Sequence, residues 1–292
     1  TAYLFLTPYL AAAVVVLLTV VVLSYRQLVH AYPSGGGDYE VATKNLGPKS
    51  GVVVASALLV DYVMTVAVSV SAGVDNIISA ASGLADHRVA LAVGFVAFLT
   101  AMNLRGVKES GKAFAVPTYG FVLGIFTMII YGVFQAVTGE APQAESAAYT
   151  VIAEEGEVGL TGLAFVFFAL RAFASGCTAL TGIEAIANGV PAFRKPKSKN
   201  AATTLALMGG LAMTMFVGIT TLAILTDVRY SEDPTIQFVG FGEDDVRRSV
   251  IAQVSSAVFG DGSAPFFYVQ AMTAAILILA ANTAFNGFPL LG

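Results

Sequence analysis

The sequence predicts an all-α polytopic membrane protein, and three observations predict it. Of 292 residues, 57% are hydrophobic and only 12% are charged, where a soluble domain carries about 25% charge. Apolar runs long enough to cross a bilayer as helices recur along the chain. The connections between them are basic and acidic by turns. A mean hydropathy of +0.78 agrees with this class. One cysteine excludes a disulfide framework and a thiolate metal cluster. No CxxC, HExxH or phosphate-loop pattern occurs, and no nucleophile–base constellation supports an enzyme. No cofactor and no nucleic-acid partner is expected; the surroundings are membrane lipid.

Apolar length and breakers predict seven spans, at 8–25, 51–75, 89–104, 117–137, 160–190, 203–226 and 265–288. The third is short; the fifth is long and interrupted. The chain begins at Thr1 without a basic leader region, so the first span is not expected to be a signal peptide. A chain that starts and stops in apolar sequence is expected to be a piece of a longer protein.

Charge sets an expected orientation. Segments 26–50, 105–113 and 191–202 hold Arg26, Lys44, Lys49, Arg105, Lys108, Lys112, Arg194, Lys195, Lys197 and Lys199. Those segments follow alternate spans, as one membrane face requires, and the positive-inside rule makes that face cytoplasmic. The opposite connections are acidic: Glu140, Glu145, Glu154, Glu155 and Glu157 in one, Asp227, Glu232, Asp233, Glu243, Asp244 and Asp245 in another. A protein with a cytoplasmic N-terminus then needs one more span before Thr1. In the outer loop 227–264, "DDVRRSVIAQVSSAVFG" predicts a short amphipathic helix lying on the membrane surface, with an outer gate as the alternative. The stretch 32–47, "YPSGGGDYEVATKNLG", is expected to be a loop. His30 and His87 fall at span ends, where solvation accounts for them.

Polar residues inside spans point to function. Asp61 sits at mid-span, where an ionisable group costs at least about 2.5–3.5 kcal/mol and normally faces a bundle interior or water. Thr65 and Ser69 follow at steps of four, one turn above another on nearly the same face. Together they form a ladder of oxygens, which Asp75 and Asn76 extend. Hydroxyls in membrane helices also bond the carbonyl four residues back or help helices pack, so the pair alone is ambiguous. Arg171 is the one Lys or Arg inside a predicted span, so an ion-pair partner for Asp61 is not evident.

The fifth span carries "ASGCTALTGIEAIANG", residues 174–189. Ser175, Gly176, Cys177 and Thr178 combine a permissive glycine with side chains that bond backbone locally, and predict a helix break. Non-helical backbone at membrane depth is tolerated only where protein buries it or where it lines a wet cavity. Broken helices of this kind bring free backbone groups to a midplane binding site. Thr181 and Glu184 lie one turn apart on the second half, with Asn188 on the same face. A close helix crossing would account for Gly176, Gly182 and Gly189, but not for Glu184. A buried glutamate without a basic partner is protonated or holds a cation. Two carboxylates and three hydroxyls, if they converge, make a hard-oxygen site for a small cation. Protonating one carboxylate would weaken cation binding and so supply coupling.

The stretches 24–47 ("SYRQLVHAYPSGGGDYEVATKNLG"), 103–112 ("NLRGVKESGK") and 173–205 ("FASGCTALTGIEAIANGVPAFRKPKSKNAATTL") resemble, in order, three segments of the amino acid–polyamine–organocation (APC) superfamily. They are similar to its loop after the second helix, its connector after the fourth, and its broken sixth helix with its exit. The chain looks most like the KimA-type potassium–proton symporters of the KUP family. The resemblance implies a partial LeuT-like inverted-repeat fold. Residues 1–138 would be the remainder of the first repeat, 139–159 an acidic extracellular loop, and 160–292 the start of the second repeat. It implies potassium and proton as transported species, and a cation site at Asp61, Thr65, Ser69, Thr181 and Glu184. The family's first helix, which supplies further ligands, would lie before Thr1. Helices after the eighth and the cytoplasmic region would lie beyond residue 292, so the chain by itself is not expected to transport. A proton- or sodium-coupled amino acid or amine permease is the alternative; a non-transporting receptor is opposed by the two acids. A homodimer of the full-length protein is left open.

Overall fold

The computed structural model describes residues 3–35, 37–105, 111–139, 141–152, 159–231, 233–242 and 245–291. Glu140, Glu154, Glu155, Glu157, Lys108, Glu232, Glu243 and Asp244 lie outside the described residues. Among the described residues, seven helices are long and apolar enough to cross a membrane. The chain is therefore an all-α polytopic membrane protein.

The helices follow local chemistry. α1 (Thr7–Ala31) opens with Pro8 in its first turn, where a proline ring is tolerated because its missing N–H has no partner anyway. It stops before Tyr32-Pro33, where the proline disfavours helical backbone at the preceding residue. α2 (Gly37–Leu46) falls where a loop is expected. Asp38 and Glu40 in its first turn suit the positive helix end, and Lys44 pairs with Glu40 one turn on. α3 (Pro48–Ala80) and α4 (Arg88–Leu104) form the next two spans. α5 (Gly111–Thr138) begins six residues before the predicted boundary and keeps Pro117 inside it. Prolines are accommodated within membrane helices when neighbouring groups re-satisfy the freed carbonyl.

The fifth span is broken. α6 (Gly162–Gly176) is followed by a 3₁₀ turn over Cys177–Leu180, and then by α7 (Ile183–Asn188). α8 (Lys197–Leu225) starts inside the basic segment predicted as a connection, taking Lys197 and Lys199 into its first turn. α9 (Pro234–Gln237) and α10 (Val250–Phe259) lie in the following loop, and α11 (Ala264–Leu291) is the last span.

Contacts divide the chain into two compact units, one of Asp61–Glu154 with Gly218–Gly292, the other of Ala2–Val60 with Glu155–Val217. In the first, α11 packs on α5, α4 and α10. Gly120 and Gly124 of α5 let Tyr268 of α11 lie against the helix, its hydroxyl donating to the Gly120 carbonyl at 3.0 Å. Asn103 of α4 donates to Asn282 of α11 at 2.8 Å. Val70, Val74, Ile78, Leu99 and Ala281 form its apolar core. In the second unit, α1 packs on α6 and α7, and α2 packs on α7.

Two local features depart from expectation. The loops 141–152 and 226–249 are joined by a two-stranded antiparallel ladder, β1 (Thr150–Val151) with β2 (Phe238–Val239), which pattern alone did not show. The amphipathic segment is the helix α10, but it does not lie open on a surface. Ala252, Val254, Ser255 and Val258 are buried, and the helix packs against α5 and α11. Its apolar face finds two spans to cover it, which is a better exchange than an interface with water.

Candidate functional site

The interruption of the fifth span has a definite geometry. Thr181 is extended (φ −59°, ψ 133°) and Gly182 is left-handed (φ +95°). That φ is open to glycine and strained for any other residue, so Gly182 is where the helix axis is reset. The break falls later than expected: Ser175 and Gly176 are the last residues of α6, and Cys177 and Thr178 lie in the 3₁₀ turn. The hydroxyl of Ser175 donates to the Arg171 carbonyl at 3.1 Å, so it serves its own helix. Cys177 is a free thiol.

Glu184 stands in the first turn of α7, and its carboxylate accepts the Gly182 N–H at 3.0 Å. The acid is thereby turned back onto the break. A cavity of about 150 Å³ adjoins it, lined by Thr181 and Gly182 and otherwise by apolar groups such as Leu18, Val22, Ile186 and Met208. Asn188, at the far end of α7, lies against the loop before α2, where its side chain would collide with a Cβ on Gly37.

In the other unit, Asp61, Thr65 and Ser69 all lie in the uninterrupted helix α3. Asp61 and Thr65 are half-buried and Ser69 is 9% exposed. No ion pair involves Asp61 among the described residues. Most span hydroxyls bond the carbonyl one turn back, among them Thr19, Ser24, Ser56, Thr100, Thr127 and Thr214. Among the described residues, Thr65, Ser69 and Thr181 do not. The hydroxyls singled out beside the two acids are thus among those the helix backbone leaves uncommitted, as is Ser255 of α10. Among the described residues no three His, Cys, Asp or Glu side chains gather as a metal site.

The expected outward extension of the ladder does something else. Asp75 is bridged by Arg88 at 2.8 Å and Arg247 at 3.3 Å. Asn76 accepts from the Ser249 hydroxyl at 2.9 Å, and Ser79 accepts the Ser249 N–H at 3.1 Å. Ser249 is also the N-cap of α10, accepting from Ala252 N at 3.1 Å. These polar groups anchor α10 to α3. Next to them, Arg248 clasps Asp261 with both nitrogens at 2.8 and 3.1 Å and reaches Glu145 at 3.3 Å. The Arg248 hydrogen bond holds the Asp261 carboxyl below its ordinary value. Burial pushes Glu145 upward, and Arg248 offsets this only in part. Consecutive arginines just before an amphipathic helix were the available signal for this clasp; their partners, far away in sequence, were not.

Sequence reasoning also passed over a polar contact between α1 and α2. The Tyr25 hydroxyl lies 2.8 Å from each carboxylate oxygen of Asp38. Each residue alone is unremarkable, a tyrosine near a span end and an aspartate after glycines.

Seven helices long and apolar enough to cross a membrane among the described residues, one of them broken beside Glu184, define a polytopic membrane protein. The model for the family described as amino acid permease matches residues 2–291, and the chain belongs to that family. It is 43% identical over 281 residues to the potassium transporter KimA of Bacillus subtilis (strain 168), across 96% of this chain and 42% of KimA. It is 30% identical over 132 residues to the low-affinity putrescine importer PlaP of Escherichia coli (strain K12), across 44% of this chain and 28% of PlaP. The chain thus spans less than half the length of these curated relatives.

Proposed function

We propose that this chain is part of the core of a secondary transporter that takes up potassium with protons across the plasma membrane. The basic segments 26–50, 105–113 and 191–202 face the cytoplasm in this reading. One potassium ion, as substrate, is held by Asp61, Thr65, Ser69, Thr181 and Glu184. The observation that carries it is two acids within apolar spans, Asp61 and Glu184, each near hydroxyls that the helix backbone does not engage: Thr65 and Ser69 for the first, Thr181 for the second. Protonation of a carboxylate lowers the charge at the ion and couples the two fluxes. Likeness to a potassium transporter over nearly the whole chain supports the choice of ion. Residues 1–138 and 160–292 belong to the two repeats, separated by the acidic segment 139–159.

A second reading is uptake of an amine, favoured by the partial likeness to a putrescine importer. Two acids suit an organic cation as well as a metal ion, and oppose a solute that carries its own carboxylate. The test is uptake of labelled rubidium, putrescine and amino acids into vesicles holding the full-length protein, with and without a proton gradient. Rubidium uptake driven by the gradient is expected. Asp61→Asn and Glu184→Gln should each reduce it at least about tenfold at equal membrane abundance, the factor that corresponds to ~1.4 kcal/mol. Undiminished uptake in both variants would remove the site, and putrescine uptake without rubidium uptake would replace the cargo.

A further inference from the structure

The proposed site accounts for Glu184 but not for what covers the far end of its half-helix. That end is packed by the segment leading into α2. A Cβ on Gly37 would stand 2.3 Å from the Asn188 side-chain oxygen, and one on Gly35 would stand 2.8 Å from the Asn188 carbonyl. Both glycines have positive φ, +81° at Gly35 and +45° at Gly37. So the chain passes within backbone distance of α7 only because two side chains are missing. Immediately after that contact, Asp38 takes the Tyr25 hydroxyl at 2.8 Å on each carboxylate oxygen. Tyr25 itself is seated on the apolar cluster of Val29, Ala187, Val190, Ala201 and Leu205. One end of α2 is therefore tied to α1 by a charge-assisted bond and pressed on α7 by a glycine contact.

We propose that Tyr25 and Asp38 are positioning residues of the transport cycle, forming a latch that holds α2 over the basic-loop end of α7. With the bond made, Gly35 and Gly37 block the Asn188 end of the half-helix that carries Glu184. With it broken, α2 withdraws and that end is exposed. The two residues are not among the proposed ion ligands; they set the balance between the covered and uncovered forms. This rests on the transporter reading above, in which the site must open to one side at a time. The pair is well suited to reversible use. A hydroxyl–carboxylate bond at a half-exposed position is strong enough to bias an equilibrium and weak enough to break in each turnover.

The experiment uses the full-length protein with its cysteines other than Cys177 replaced, in inside-out vesicles. The readout is the rate at which a membrane-impermeant maleimide labels Cys177 at the helix break. Tyr25→Phe, which removes one oxygen, and Asp38→Asn should each raise that rate on the order of tenfold, the shift expected from losing one charge-assisted hydrogen bond. The double variant should go no further than either single change, because both remove the same bond. Gly37→Ala, which forces the segment off Asn188 by another route, should also raise labelling. Unchanged labelling in both single variants, or additive effects in the double, would overturn the latch. Rubidium uptake by the parent protein is measured in parallel. Its absence would strike the assigned cargo, whereas the labelling comparison decides the latch whatever the cargo is.

Discussion

At the scale of single residues, the informative distinction is between hydroxyls that serve their own helix and hydroxyls that do not. Ser175 was expected at the break with Thr178, yet its oxygen is spent on the Arg171 carbonyl. Ser175→Ala should therefore leave rubidium uptake within about twofold of the parent. Thr65→Val and Ser69→Ala should raise the KM for rubidium several-fold with less change in kcat, as loss of ligand oxygens from the bound state requires. A drop in kcat alone would place both hydroxyls outside the site. Gly182 invites a separate test. At φ +95°, Gly182→Ala incurs about 1–2 kcal/mol of backbone strain, visible as a lower thermal midpoint of the purified protein. An unaltered midpoint would mean that the turn relaxes. Asp61 and Glu184 were legible in the sequence because a charge at membrane depth is expensive and is kept only for a reason. Asp38 was not legible, since a carboxylate in a polar loop incurs no such cost.

At the scale of elements, α10 shows what amphipathic pattern does and does not reveal. The segment and its turn of apolar residues were evident; which surface would cover them was not. Its start depends on Ser249, which caps the helix and bonds Asn76 and Ser79 of α3. Ser249→Ala should cost about 1 kcal/mol at the cap and speed amide exchange through α10. The clasp next to it titrates. The folded-state pKa of Asp261 is depressed by Arg248, so its stabilising contribution is present above the ordinary aspartate value and is lost as pH falls through the folded one. Glu145 has the opposite sign: burial raises it, so its contribution is complete below its ordinary value and lost as pH rises through the folded one. Amide exchange in α10 should accordingly accelerate on acidification below the usual carboxylate range, and Asp261→Asn should remove that dependence. An acid response that survives in Asp261→Asn would assign it to another carboxyl.

At the scale of the whole molecule, each compact unit is assembled from two stretches far apart in the chain. One of the divisions between the units, at Glu154/Glu155, falls within 139–159; two others, at Val60/Asp61 and Val217/Gly218, fall inside the stretches expected to be single repeats. In one unit, α5 and α11 meet through Gly120 and Gly124, where a Cβ would stand 2.5 Å from the Met272 sulfur and 3.2 Å from the Tyr268 ring. Gly124→Val should lower the thermal stability of the purified protein by about 1–3 kcal/mol through overpacking, while the same change at Gly94, which faces open space, should not. Equal effects at both positions would mean that the α5–α11 contact is not tight.

The sequence by itself determined the number of spans, the interruption of one of them and the intramembrane acids. Each is a cost that membrane depth imposes on a local stretch, and so is written in order along the chain. Only the tertiary structure decided which hydroxyls remain free, that α10 is buried, that two distant loops pair as strands, and that Asp38 meets Tyr25. Those depend on which segments are brought together when the chain closes on itself, and no local pattern of apolar and polar residues encodes a partner lying on another helix.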